Sequence, residues 1–436
     1  MLLSRAERHS RRGGKAAETR RRGQEPALGG RSETGAERGG GEKQGRQREV
    51  SLGHCGRESG LAGRMSDPRD LQMMQGKKRV LILYTGGTMG MRARPDGSLA
   101  PEAGFLTGEI NKAPEMHRPE MPTFTIKEYD PLLDSSCMGP SDWSKIAHDI
   151  SSTYLDYDGF VVIMGTDTMA YAASALSFML ENLGKTVVFT GSQIPFCEVY
   201  NDARRNLLVS IIFAITDDFP EVCICFNDRL MRANRTVKVN SVGLNAFDSP
   251  NFPPLATLGA FINERKELAL PQPRGPFRVH AQLEAKVIVL KLVPGFDDEC
   301  IHALVEHSTQ LKAIVLEMYG TGNGPVDHSG KGTLVDAIQK AKSKKMVVVA
   351  VSQCIQGGVS LDVYSMGLEF KKAGVISGGD MTTEACTTKL AYLFGRGADH
   401  ESIPQLLTQN LRGEITHSSG ENFKTRLALK SPFSRL

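Results

Sequence analysis

Three short stretches place hydroxyl side chains beside glycine just where a hydrophobic run ends: TGGT (85–88), GTDT (165–168) and TGSQ (190–193). A fourth, DSSCM (134–138), stands before a helical pattern. Glycine lets backbone N–H groups approach a ligand closely, because no Cβ stands in the way. Hydroxyls next to such bare backbone fit a small polar molecule, bound or attacked. A phosphate cradle needs GxGxxG or GxxxxGK[ST], and TGGTMG has neither spacing. A serine elbow needs GxSxG, which is missing. What remains is a threonine nucleophile. A hydroxyl is weak at neutral pH and needs a base held by a third group. Asp167 is the acid that would orient a lysine, and a lysine brought near neutral pKa by burial would supply the base. A Gly-Gly turn with threonines is also ordinary architecture. Residue types leave both readings open.

The elements that must position these stretches follow from periodicity. RVLILYT (79–85), GFVVIM (159–164), TVVFT (186–190) and EVCICF (221–226) are short, continuous apolar runs of strand length. Between them lie helical patterns. SDWSKIAHDISSTYL puts Trp143, Ile146, Ala147, Ile150 and Tyr154 on one face, with Ser141 expected to cap it. TMAYAASALSFMLENLG is expected to run as a helix to Gly184, and DARRNLLVSIIFAI is a third. Strands buried on both faces and separated by helices predict a doubly wound, mostly parallel sheet in a larger N-terminal α/β domain, residues 77–263. Prolines and charges over 264–285 read as a linker. The alternation then resumes in KVIVLKL, AIVLEMYG, MVVVAVSQ and AGVISGG, giving a smaller α/β C-terminal domain, residues 286–417. In open parallel sheets, ligands sit beyond the carboxyl ends of the strands, where the hydroxyl–glycine stretches fall.

The 436 residues carry 53 Lys+Arg and 49 Asp+Glu, a net charge of +4. The first 66 residues hold 15 of those bases against 8 acids, leaving 38 bases and 41 acids for the remainder. The basic balance belongs to the N-terminal stretch, so a nucleic-acid partner is not expected of the folded part. Residues 1–76 are glycine-rich and lack Phe, Tyr and Trp, a composition expected to remain disordered, as is the polar tail 418–436. Eight glutamates in the N-terminal stretch argue against a transit peptide, and no apolar run reaches membrane-spanning length. A cytoplasmic protein without membrane partners is expected. The eight cysteines show no CxxC pair and the ten histidines no HExxH, so neither a metal site nor a disulfide framework is expected. Cys223 and Cys225 read as core residues of a strand.

LYTGGTMGM, EYDPLLDSSCM, GFVVIMGTDTMAYAASALSFMLENLGK, NRTVKVN, FDSPNFPPL, VSQC and QNLRGEI, in this order over roughly 77–417, resemble the cytoplasmic (type I) L-asparaginases. The resemblance implies hydrolysis of L-asparagine to L-aspartate and ammonia without a cofactor, in a homodimer or homotetramer. It makes Thr88 the nucleophile, and groups Thr166, Asp167 and Lys238 as a hydroxyl–acid–lysine set. It also aligns Asp134, Ser135 and Ser136 with the loop that receives the amino-acid end of the substrate. Only the resemblance singles out Lys238. Two alternatives are a lysophospholipid or ester hydrolase on the same nucleophile, and a non-catalytic amino-acid-binding protein. Departures from the family pattern are Met164 for a histidine, Ala233 for a glycine before Lys238, and Ser98 for a tyrosine in the loop after the nucleophile. Bacterial relatives have a second, regulatory asparagine site. Cys354 matches it, but Glu317 stands where an arginine is expected, so no such regulation is expected here.

Overall fold

The computed structural model describes residues 77–295, 298–326 and 333–416. The disorder expected for 1–76 and for 418–436 lies outside the described residues. The larger domain is built on an eight-stranded sheet. Its parallel half is β1 (Arg79–Gly86), β2 (Thr123–Leu133), β3 (Gly159–Ile163), β4 (Val187–Thr190) and β5 (Val222–Phe226), in spatial order 2-1-3-4-5. β6 (Arg229–Arg232) turns back antiparallel beside β5. Next in the chain is a small hairpin apart from the sheet, β7 (Val237–Lys238) and β8 (Phe247–Asp248), after which β9 (Ala256–Leu258) and β10 (Ile262–Glu264) complete the edge beyond β6. The strand order reverses around β1, with β2 on one side and β3 on the other. This switch point opens a crevice at the carboxyl ends of β1 and β3.

Alternate residues of each strand feed opposite cores, as a two-sided sheet demands. Leu81, Leu83, Phe160 and Val162 face α2 (Pro140–Ser152) and α3 (Met169–Met179) in one apolar cluster. Val80, Ile82, Val161 and Ile163 join α1 (Phe105–Lys112) and α4 (Ala203–Ala214) in the other. Cys223 and Cys225 are buried in this second cluster, and burial pushes the Cys225 thiol up to about 12.

Three local expectations are corrected. Ser141 does not cap α2; Gly139 precedes it, and its N–H donates to Asp142 Oδ2 at 2.9 Å. Tyr154 falls beyond the helix end, where its ring stacks on Phe277 at 3.9 Å and its hydroxyl accepts the Gly184 N–H at 2.8 Å. The helix expected to reach Gly184 stops at Met179, because Leu180–Glu181 pair antiparallel with Arg278–Val279. A long-range backbone ladder outcompetes the local helical pattern there.

The smaller domain has a four-stranded parallel sheet, β11 (Val287–Lys291), β12 (Ala313–Met318), β13 (Val347–Ser352) and β14 (Ile376–Ser377), in that order. One face packs on α5 (Asp298–His307), α6 (Thr333–Ser343) and α7 (Ser365–Ala373). The other packs on α8 (Thr383–Gly395), together with Phe178 from α3 of the larger domain. α3 is alanine-rich and buried nearly throughout, which lets α8 approach; Ser174 Oγ and Thr388 Oγ1 hydrogen-bond across the contact at 2.9 Å. Among the described residues, no helix is long and apolar enough to cross a membrane.

Candidate active site

The two glycines of TGGT answer a steric demand. Gly86 and Gly87 have φ of +133° and +91°, in the region that L side chains avoid. A Cβ on Gly87 would lie 2.3 Å from the Gly165 nitrogen, so the ends of β1 and β3 touch backbone to backbone. Gly165 in turn has Ser135 Oγ where its own Cβ would be, at 2.4 Å. Thr88 and Thr166 each follow one residue beyond this contact, and both therefore border the switch-point crevice.

The hydroxyls divide by role. Thr85 is fully buried and donates to the Ile163 carbonyl at 3.1 Å; Thr190 donates to the Cys225 carbonyl at 2.9 Å. Both tie neighbouring strands together, so for them the architectural reading holds. Thr88 is half-buried at the start of the 3-10 turn Thr88–Gly90. Thr166 is buried and polar on both sides. Lys238 Nζ donates to its Oγ1 at 2.8 Å, and its own hydroxyl donates to Gln193 Oε1 at 3.3 Å. Lys238 Nζ also donates to Asp167 Oδ1 at 2.6 Å. The lysine side chain is 18% exposed while Asp167 is 68% exposed, so the pair has a dry lysine end and a wet carboxylate end. Lys238, 71 residues beyond Asp167 and 72 beyond Thr166 in the chain, thus joins them in one contact set.

Lys238 reaches the set from the β7–β8 hairpin, whose register pairs it with Phe247. Ala233 is buried in the 3-10 turn Ala233–Arg235 just upstream, with negative φ, and Lys238 makes its contacts with alanine at that position. Met164 is packed in the core cluster behind the crevice. Ser98 lies exposed at the tip of the Met91–Ala93 and Leu99–Pro101 hairpin, and its N–H and Oγ both donate to Asp96 Oδ1, at 2.9 and 2.6 Å.

The DSS loop forms a 3-10 turn, Ser135–Cys137, capped by Asp134. Asp134 Oδ1 accepts from Ser136 N at 2.9 Å and from Ser136 Oγ at 2.8 Å. Ser135 is buried against Gly165, and its carbonyl accepts the Thr168 hydroxyl at 2.6 Å, which fixes this turn beside GTDT. Gln193 joins the site although residue type did not single it out. It accepts the Thr166 hydroxyl, donates to the Gly243 carbonyl at 3.3 Å, and is held by its backbone N–H on Asp202. Its position in TGSQ, at the end of β4, was the available signal.

Behind Lys238 a cavity of about 300 Å³ opens toward the smaller domain, bordered by Tyr171, Glu317, Cys354, Thr383 and Glu384. Burial pushes the Glu384 carboxyl above its ordinary range, and the Glu317 charge adds to the effect. Thr383 donates to Glu317 Oε1 at 2.8 Å.

Residues 79–269 match the family model of the asparaginase N-terminal domain, and residues 286–407 match that of the glutaminase/asparaginase C-terminal domain. The chain is 45% identical over 340 residues to L-asparaginase 1 of Escherichia coli, covering 78% of this chain and 98% of that one. It is 39% identical over 373 residues to a 60 kDa lysophospholipase of Homo sapiens, covering 80% of this chain and 64% of the relative. The crystal structure of L-asparaginase I from Vibrio cholerae superimposes with a TM-score of 0.71 at 42% identity, covering 78% of this chain and all of that one.

Proposed function

Because the chain belongs to the type I L-asparaginases of the asparaginase family, a family of amidohydrolases, we propose that it hydrolyses the side-chain amide of L-asparagine through Thr88. One observation carries the reading. Lys238 Nζ sits 2.8 Å from Thr166 Oγ1 and 2.6 Å from Asp167 Oδ1, one residue past the Gly87–Gly165 contact that brings the Thr88 turn alongside.

The Thr88 oxygen attacks the amide carbon and loses its proton to a base. Lys238 is held as a donor to both partners, so it acts as that base only after giving up one proton; Asp167 keeps it oriented. In this reading, backbone N–H groups of the glycine-flanked turns receive the developing oxyanion, the interaction that contributes most in acyl transfer. The carbon–nitrogen bond breaks, the nitrogen takes up a proton, and ammonia leaves. Water then attacks the aspartyl ester, Thr88 regains its hydroxyl, and L-aspartate departs. Asp134 Oδ1 is engaged in its own turn, so Oδ2 is the oxygen assigned to the α-ammonium group of the substrate, with Ser135 and Ser136 beside it. Val199, Tyr200 and Val242 are largely exposed apolar side chains, which supports a homo-oligomer that covers them.

The test is ammonia release from L-asparagine by the purified full chain. Thr88→Ala and Lys238→Met are expected to lower kcat by about 10² to 10⁴. A wild-type rate no higher than both variants overturns the proposal. The similarity to a lysophospholipase makes ester hydrolysis the second reading. Release of fatty acid from lysophosphatidylcholine, lost in Thr88→Ala, in place of ammonia release from asparagine, would establish it.

A further inference from the structure

We propose that the smaller domain positions the lysine: the hairpin bearing Lys238 is fixed at both feet, by Arg235 and Asn251, to the backbone and carboxylate of Asp380 and the turn at Gly357. This rests on the function proposed above, and makes Arg235, Asn251 and Asp380 positioning residues for the reaction.

The hairpin cannot hold the lysine unaided. Its ladder is two residue pairs, Val237 with Asp248 and Lys238 with Phe247, closed by the Val239 N–H donating to the Ala246 carbonyl at 2.8 Å. A lone two-stranded hairpin is marginal in water, and lysine adds four flexible carbons. The larger domain holds the second strand through Arg229, which donates to Asp248 Oδ1 at 2.7 Å and to the Phe247 carbonyl at 2.6 Å, and the two feet are held by the smaller domain. Arg235 stands two residues before Val237, and its side chain is 1% exposed. Its guanidinium grips Asp380 with both ends of the fork, at 3.1 Å to Oδ1 and 2.7 Å to Oδ2. It also donates to the carbonyls of Glu414 at 2.7 Å and Asn251 at 3.0 Å, and to Thr416 Oγ1 at 2.9 Å. The Phe252 ring lies 5.4 Å from the guanidinium carbon. Bidentate pairing fixes direction as well as distance, which one lysine–carboxylate contact would not do.

Asn251 stands three residues after Asp248, at the other foot. Its Nδ2 donates to the carbonyls of Gly357 at 2.9 Å and Asp380 at 3.1 Å, and its Oδ1 accepts the Gly357 N–H at 2.8 Å. Both feet therefore converge on Asp380, which also accepts the Thr416 N–H at 2.8 Å. Asp380 lies just ahead of α8, so the hairpin is referenced to the smaller domain at two points. Displacement of a reacting group by about 1 Å can cost on the order of 10²-fold in rate. Loosening one foot should therefore act on turnover and leave ground-state binding at the DSS loop intact.

Asp380→Ala, Asp380→Asn, Asn251→Ala and Lys238→Met are purified as full chains and assayed well below their melting temperatures. The expected result is a kcat lowered about 10- to 100-fold in Asp380→Ala and Asn251→Ala, with KM within about threefold of wild type, and a smaller loss in Asp380→Asn, which keeps an acceptor. If Asp380→Ala does not fold, Asn251→Ala alone decides, since it leaves the buried ion pair in place. A second readout needs no turnover: in a crystal structure of Asn251→Ala, Lys238 Nζ should withdraw from Thr166 Oγ1. Lys238→Met inactive with Asn251→Ala at wild-type kcat, or Nζ unmoved in the variant crystal, overturns the clamp. Lys238→Met at wild-type kcat instead overturns the proposed function.

Discussion

At the scale of single residues, backbone clearance decides most of what the site can be. Gly87 combines φ of +91° with a virtual Cβ 2.3 Å from the Gly165 nitrogen. The obstacle is backbone, which cannot swing aside as a side chain would. Gly87→Ala is therefore expected to separate the ends of β1 and β3, lowering kcat at least tenfold and destabilising the fold by about 1–3 kcal/mol or more. Ammonia release and urea unfolding would measure both; wild-type values in both assays would refute the argument. Glu317 is the second residue with a clear consequence. It faces the cavity behind Lys238 with Glu384, and two carboxyl groups there disfavour an amino acid's α-carboxylate. Initial rates against asparagine concentration should follow a hyperbola with a Hill coefficient near 1. A sigmoidal curve that becomes hyperbolic in a Glu317 variant would contradict this.

At the scale of elements, the helices and strands around the site are fixed by ends more than by interiors. α2 holds the DSS turn at its start and packs Trp143, Ile146 and Ile150 into the core. Its first turn depends on Asp142, whose carboxylate accepts the Gly139 N–H at 2.9 Å. Asp142→Ala should cost about 1 kcal/mol in urea unfolding, the usual value of a cap, with kcat changed less than twofold. A large loss of activity would mean that the cap also sets the DSS turn. The apolar faces of α2 and the strand runs were legible in the sequence because burial repeats with the element's own period. The ends were less so. Ser141 offered a capping side chain, yet Gly139 with Asp142 took that role, and α3 stopped at Met179 where its apolar pattern continued. Both outcomes depend on neighbours distant in sequence, the 278–279 strand above all.

At the scale of the whole molecule, the two domains are locked by buried charge as well as by the α3–α8 contact. Arg235 of the larger domain grips Asp380 of the smaller, while Lys389 and Glu414 pair at 2.5 Å inside the smaller domain with both side chains fully buried. Burial alone would raise the Asp380 carboxyl, but hydrogen bonds from Arg235 and Thr416 and the arginine charge outweigh it, leaving it below the usual carboxylate range. A group whose folded pKa is depressed stabilises the native state above its unfolded pKa, near 3.9, and loses that contribution as pH falls through the folded value. The stability gap between wild type and Asp380→Asn should thus be full at pH 6 and shrink below about pH 4. Urea midpoints across that range would show it; a gap that widens on acidification would reverse the sign and refute the assignment.

Four strands of the larger sheet, all four of the smaller and the strand ends at which polar residues gather were readable from local strand length and apolar continuity, whereas Thr123–Leu133 beside β1 and the antiparallel edge from Arg229 to Glu264 were not. The sequence by itself also marked Thr88, Thr166 and Asp167 as residues beside bare backbone, though not which hydroxyl ties strands together and which borders the crevice. Tertiary structure decided that division: Thr85 and Thr190 found carbonyls on neighbouring strands, whereas Thr166 met Lys238 and Gln193. Nothing local to TVKVN distinguishes a crevice lysine from a solvated one, and TGSQ offers only its place at the end of a strand. The strand order around β1, and a hairpin held by Arg229 of the larger domain and at both feet by the smaller one, carry those side chains to the same few ångströms.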